Sequence, residues 1–268
     1  IIAIMDVDIA AACILTSEED ADRLRVPRER RIYPWAGSYA MDPAFTATRR
    51  ELWRSVAMQA AADALKEAAG VTIEQITNLD LYSCFPSATR FGCDALGLDT
   101  CAGERTTVTG GLPYAGGPGN SYMMTSIVKM TQRLRAKPDG LGIVSGVGYM
   151  MQTHAFGLYS ASPPPAFVKP VDGTAVQARV DEIPLVPVDD GYRGQVTVAA
   201  YTIKYDRAGE PIHGAALCDL PGGARAHAFI RDPGLIREAE DTELVGRTLE
   251  LAGDDPVGEL GVPVHLSS

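Results

Sequence analysis

Thr107-Val108-Thr109-Gly110-Gly111-Leu112-Pro113-Tyr114-Ala115-Gly116-Gly117-Pro118-Gly119-Asn120-Ser121 holds five glycines and two prolines in fifteen positions. No regular element accommodates that density of flexible and donor-less residues, so the stretch is expected to be a shaped loop. Glycine lets backbone N–H groups approach a ligand and form an anion-stabilising nest, although such a loop taken alone is equally a tight structural turn. What lies on either side decides between them. Upstream, Leu79 to Phe85 (LDLYSCF) reads as a strand entering a helix from Pro86 to Leu96, with proline in the first turn. Downstream, Tyr122 to Arg135 reads as a helix, and Leu141 to Tyr159 as two strands around a Gly-rich turn. Three loops, at Tyr82–Phe85, at residues 107–121 and at Ser145–Gly148, then gather at the ends of alternating strands and helices, which suggests a pocket in an α/β unit.

Further out, the Ala-rich run Ser55 to Ala69 has apolar residues at helical spacing and Gly70 as its stop. Its apolar face is expected to need a covering partner. Asp8 to Thr16 reads as a strand, with Ser17 capping a short helix that opens on Glu18, Glu19 and Asp20. Ile1 to Met5 lacks an initiator methionine and reads as though the chain opens inside an apolar strand. Three prolines at 163–165 break the pattern, and 161–165 is expected to be a linker between residues 1–160 and 166–268. Beyond it, Gln195 to Tyr205 and Ile212 to Leu220 alternate with period two across a turn at Asp206–Gly209, and further turns follow at Pro221–Gly223 and Gly253–Asp255. A small all-β barrel of the oligonucleotide/oligosaccharide-binding type is the expected tail.

The net charge of −10 is concentrated in that tail, where 9 basic residues face 17 acidic ones after position 160. Such a surface gains nothing from phosphate backbones, which argues against nucleic acid and anionic membranes. There is no apolar run long enough for a membrane span. Five cysteines without a C-x-x-C pair or nearby histidines argue against zinc and a disulfide framework, and free thiols suggest a cytoplasmic setting.

The Asp8–Thr16 segment, the Tyr82–Phe85 strand end, the pair Gly110-Gly111 followed after four residues by Gly116-Gly117-Pro118, and the turn Ser145-Gly146-Val147-Gly148 together resemble the C-terminal half of thiolases, over about residues 1–160. With the β-rich extension, the chain is most similar to bacterial thiolase-like proteins with an added C-terminal domain, commonly labelled acetyl-CoA acetyltransferases. The resemblance implies a mixed five-stranded sheet with helices on both faces. It also implies acyl-CoA as substrate or ligand, coenzyme A as part of that substrate, no metal, and either a homo-oligomer or an N-terminal thiolase half as partner.

At the family's catalytic histidine this chain has Gly117, which can neither accept a proton nor bond a thioester oxygen. Val144 stands where the proton-shuttling cysteine is expected. Of the His-Asp-Cys-Phe element of sterol-carrier-type thiolases, Cys84 and Phe85 remain, preceded by Tyr82 and Ser83. Cys84 and Tyr82 are therefore the candidate catalytic groups, and Gly116, Gly117, Pro118, Ser145 and Gly146 the candidate substrate-binding ones. Cys84 is equally a small buried strand-end residue, and Tyr82 and Tyr114 are equally core anchors. His154 reads as a framework histidine. Three functions compete: acyl transfer or C–C cleavage on acyl-CoA, acyl-CoA binding without chemistry, and a docking role for the tail.

Overall fold

The computed structural model describes residues 2–98, 106–253 and 257–261. It divides into one compact unit of Ile1–Ala44 with Trp53–Ile183, and a second of Phe45–Leu52 with Pro184–Ser268.

In the first unit, strands β1 (Tyr33–Met41), β2 (Ile76–Asp80), β3 (Leu141–Gly148) and β4 (Thr153–Ser160) form a mixed sheet in the order β1-β4-β3-β2. β4 runs antiparallel to both β1 and β3, and β2 runs parallel to β3. The parallel pair needs a crossover, and the segment carrying helix α3 (Pro86–Leu96) and the Gly-rich loop supplies it. The described residues thus form four strands where five were expected. Asp8–Thr16, read as a strand, is irregular: Ile14 is 96% and Leu15 83% exposed, and the segment has no strand neighbour among the described residues to satisfy its backbone. The short helix α1 (Glu18–Arg23) does follow it, with Ser17 Oγ accepting from the Asp20 amide at 3.0 Å.

Helices lie on both faces of the sheet. Helix α2 (Val56–Ala69) starts at Ser55, whose hydroxyl accepts from the Met58 amide, and stops at Gly70 with φ +63°. It buries Ala57, Met58, Ala61, Ala62, Ala64 and Leu65 against the face that carries Ala40, Ile143 and Leu158. Its apolar side is thus covered by this chain's own β1, β4 and α3, so the expectation that α2 needs a partner is corrected. The opposite face receives α5 (Tyr122–Ala136), which follows the one-turn helix α4 (Leu112–Ala115). Met130 and Leu134 of α5 meet Val144 there.

The compact unit continues past the proline run to Ile183. Trp35 Nε1 donates to Ser162 O at 2.8 Å, and Gln177 exchanges hydrogen bonds with the Met41 backbone. Helix α6 (Gly173–Asp181), which the sequence reading missed, packs Val176 and Val180 into the α2 core; its N-cap Asp172 accepts from the Thr174 and Ala175 amides.

In the second unit, β5 (Gly194–Tyr205), β6 (Pro211–Asp219), β7 (Arg225–Ile230), β8 (Thr248–Ala252) and β9 (Gly258–Gly261) close into a barrel ordered β5-β6-β7-β9-β8. β7 and β9 are parallel and the other pairs antiparallel. Helix α7 (Pro233–Asp241) joins β7 to β8 and was not foreseen in an all-β reading; Asp232 caps it and Pro233 occupies the first turn. Period-two strands place Val196, Val198, Ala216, Cys218, Ala228 and Leu251 in the barrel core.

Arg225 is buried in this unit. Its guanidinium meets Asp219 at 2.7 Å and donates to the carbonyls of Ala47, Arg49 and Arg50, holding the 45–52 segment to the barrel. Removing it leaves buried carbonyls without donors, at ~1–3 kcal/mol each. Arg225→Met should therefore destabilise this unit by about 3 kcal/mol. Native-state hydrogen exchange is the check: β5–β7 amides lose protection while β1–β4 amides keep theirs, and equal loss in both units would contradict the assignment.

Among the described residues no helix is long and apolar enough to cross a membrane. Cys13, Cys84 and Cys218 are free thiols, while Cys93 is disulfide-bonded, which corrects the expectation of free thiols at that position. Sequence spacing does not reveal such an approach in space. Cys101 lies outside the described residues.

Candidate active site

The three loops do meet, and the group that gathers them is one the sequence reading passed over. Asp80 ends β2 fully buried. Its Oδ1 accepts from Thr107 Oγ1 at 2.8 Å, the Val108 amide at 2.9 Å, the Thr109 amide at 3.1 Å and Thr109 Oγ1 at 3.0 Å. Its Oδ2 accepts from Ser126 Oγ and lies 3.2 Å from Tyr122 OH. A buried carboxyl without such donors would cost several kcal/mol, so the start of the Gly-rich loop and the first turns of α5 are tied to this one side chain. The available signal was a carboxylate at a strand end followed by a hydroxyl-rich Thr106-Thr107-Val108-Thr109 run. Burial, followed by the charge of Asp80, raises the Tyr122 phenol well above its ordinary value.

Tyr82 and Ser145 are joined directly, the Tyr82 amide donating to Ser145 Oγ at 2.9 Å. The Tyr82 ring stands edge-on to Tyr122, with centroids 5.5 Å apart. Ser83 Oγ accepts from the Leu112 amide at 3.0 Å. The N-terminal segment bridges the other two loops: the Ala3 amide donates to Cys84 O, the Ile4 amide to Leu112 O, and the Gly117 amide to Ile4 O at 2.8 Å. Gly146 lies beneath Met123. Tyr82, Cys84, Gly116, Gly117, Ser145 and Gly146 thus belong to one assembly, with Pro118 half-buried beside Gly117.

Two details bear on chemistry. First, the loop amides are engaged within the protein. Gly110 and Gly111 donate to Thr107 and Thr109 hydroxyls, Gly116 to Leu112 O and Gly117 to Ile4 O. None of these is open to a ligand oxygen, contrary to the nest expected from the glycines. Second, a Cβ on Gly117 would stand 2.6 Å from Leu112 Cδ2, 3.1 Å from its Cγ and 3.3 Å from its Cβ. The Leu112 side chain fills the space a side chain at 117 would need. Burial also pushes the Cys84 thiol up, against the smaller opposing effect of backbone amides, so it is not the thiolate a nucleophile requires. The Tyr82 phenol is raised by burial and then by Cys84.

His154 lies elsewhere. On β4 it alternates with Ala155, the strand partner of Gly146, and so faces the α2 side of the sheet. Its Nε2 is 3.0 Å from Asp42 Oδ2, and Asp42 also accepts from Ser55 Oγ and the Ala57 amide. This buried set pins the end of β1, the start of β4 and the N-terminus of α2. Burial alone would raise the Asp42 carboxyl, but the bonds from His154, Ser55 and Ala57 outweigh it and hold the group below its ordinary value. A depressed folded-state value stabilises the fold above the unfolded carboxyl range, near ~3.9, and that stabilisation is lost as pH falls through the folded value. Asp42→Asn should therefore lower stability at pH 7 by ~1–3 kcal/mol and flatten the acid limb of the stability–pH curve, measured by urea unfolding from pH 7 to pH 3. An unchanged acid limb would show that another group carries it.

No group of three or more potential metal ligands occurs among the described residues.

Residues 175–256 match the family model for the thiolase-like protein type 1 additional C-terminal domain. The fold is similar to the crystal structure of a monomeric SCP2-thiolase like protein type 1 from Mycobacterium smegmatis, with a TM-score of 0.83 and 28% identity. That likeness covers 91% of this chain and 54% of the other, so this chain spans about half the length of the protein it matches. No curated protein matches. The chain therefore carries a thiolase-like fold, and its residues 175–256 are similar to the additional C-terminal domain of thiolase-like protein type 1.

Proposed function

We propose that this chain binds acyl-CoA thioesters at the loops around Tyr82, Cys84 and Ser145 without performing histidine-dependent thiolase chemistry. The observation that carries this reading is the filled space at Gly117, where Leu112 occupies the volume a catalytic side chain would need. The engaged amides of Gly116 and Gly117 support it, since an oxyanion hole requires donors left free for the developing charge. Affinity for the ligand would come from Tyr82, Cys84 and the N-terminus of α5, whose first turn has no side-chain cap. Coenzyme A enters as part of the ligand, and no metal is needed. The acyltransferase reading rests on Cys84, whose thiol burial keeps protonated in the neutral range.

Calorimetry with CoA and acetyl-CoA, together with a thiolysis assay on acetoacetyl-CoA, tests this. Binding is expected, with turnover at least ~10²-fold below that of a histidine-dependent enzyme. Gly117→His should not restore turnover while Leu112 remains, whereas pairing it with Leu112→Ala opens the space. Thiolysis by the unaltered chain that is abolished by Cys84→Ala would replace this reading with the enzymatic one.

A further inference from the structure

We propose that the groove beside α5, on the sheet face that carries Gly146, is the seat of the acyl chain, so that the preferred ligands are medium-chain or longer acyl-CoA rather than acetyl-CoA. This rests on the acyl-CoA reading above and adds a second subsite to it. The groove has a volume of about 550 Å³, within the range of cavities that enclose a whole small-molecule ligand and far more than an acetyl group fills. It exists because two lining positions on adjacent strands, Gly37 and Ala155, have almost no side chain, while the Tyr159 ring takes the space over Gly157. Gly37 pairs with Gly157 across β1 and β4, and Gly157 with Val144 across β4 and β3. All of these lie on the face that α5 covers over β3.

Its continuity with the site is structural. Ala155, in the groove, is the strand partner of Gly146, in the site. Met123 belongs to both, lining the groove while its Sδ lies 3.2 Å from where a Cβ on Gly146 would stand. The lining selects an apolar chain over a peptide. Met123, Ile127 and Val168 offer only hydrocarbon and sulfur, Lys169 is the single charged lining residue, and the Trp35 indole N–H is already engaged by Ser162 O. Tyr159 and Lys169 are the only side chains left to bond a ligand there, so most amides of a peptide would lose hydration without gaining side-chain partners, and an alkyl chain loses nothing of the kind.

The test is titration calorimetry of the 268-residue chain with acetyl-, butyryl- and octanoyl-CoA, followed in parallel by Trp35 fluorescence in a Trp53→Phe background. Full burial of a methylene strengthens binding at most about fourfold. Octanoyl-CoA should bind at least tenfold more tightly than acetyl-CoA, and only the longer ester should shift Trp35 emission to the blue. Gly37→Leu fills the groove where a new Cβ meets nothing closer than Phe156 O at 3.8 Å. It should abolish the chain-length preference and leave acetyl-CoA affinity unchanged. Acetyl-CoA binding with no chain-length dependence would overturn the groove assignment alone. A chain-length preference that survives Gly37→Leu with no Trp35 shift would also overturn it, placing the chain elsewhere. Failure of every CoA ester to bind would overturn the acyl-CoA reading and this inference with it.

Discussion

The first unit depends on one buried carboxyl group. Asp80 sits at the end of β2 with no solvent contact, and its oxygens are met by hydroxyls of Thr107, Thr109 and Ser126 and by two backbone amides, with the Tyr122 phenol alongside. Burying such a group is unfavourable unless every acceptor site is filled, so the donors are constrained as strongly as the acceptor. The Gly-rich loop therefore starts in one place, α5 begins in register with it, and Tyr122 is positioned to receive the Tyr82 ring. The glycines that follow let the chain turn with positive φ at Gly110, Gly111 and Gly116, but Asp80 decides where the turn is anchored.

Small residues play two opposite parts on the α5 face of the sheet. On β3, Gly142 and Gly146 are notches, the first receiving Met130 and the second Met123, and this draws α5 close to the sheet. On β1 and β4, Gly37 and Ala155 face no such knobs and the missing side chains leave a groove, whereas the Tyr159 ring covers Gly157. The same composition thus gives tight packing where a helix lies over it and an apolar recess where none does, because interiors tolerate neither overlap nor large unfilled volume.

The second unit is held by different means. Its barrel closes through backbone pairing and an aliphatic core, and Cys218 within that core has its thiol pushed up to about 12 by burial and then by Asp219, so it is inert packing. The segment 45–52 joins this unit, distant in sequence, because the Arg225 guanidinium matches three carbonyls at once. A planar group with several fixed donors suits that task better than a lysine would.

By itself the sequence determined the elements whose signals are local. The helix at 56–69 follows from its Ser55 cap, alanine-rich face and Gly70; the β3–β4 and β5–β6 hairpins follow from alternation and turn residues; the loop at 107–121 follows from glycine and proline density. Only the tertiary structure decided the rest. Asp8–Thr16 has strand composition but no strand partner among the described residues, so it stays irregular. The proline run did not end the first unit, because α6 beyond it packs back on β1 and α2. The loop amides read as free for a ligand are engaged by Ile4, Leu112, Thr107 and Thr109, and Leu112 fills the space beside Gly117. Asp80 as organiser and the groove as a recess were invisible for the same reason. Hydrogen-bond partners and excluded volume are set by residues far apart along the chain, and composition and period carry no record of which of them will meet.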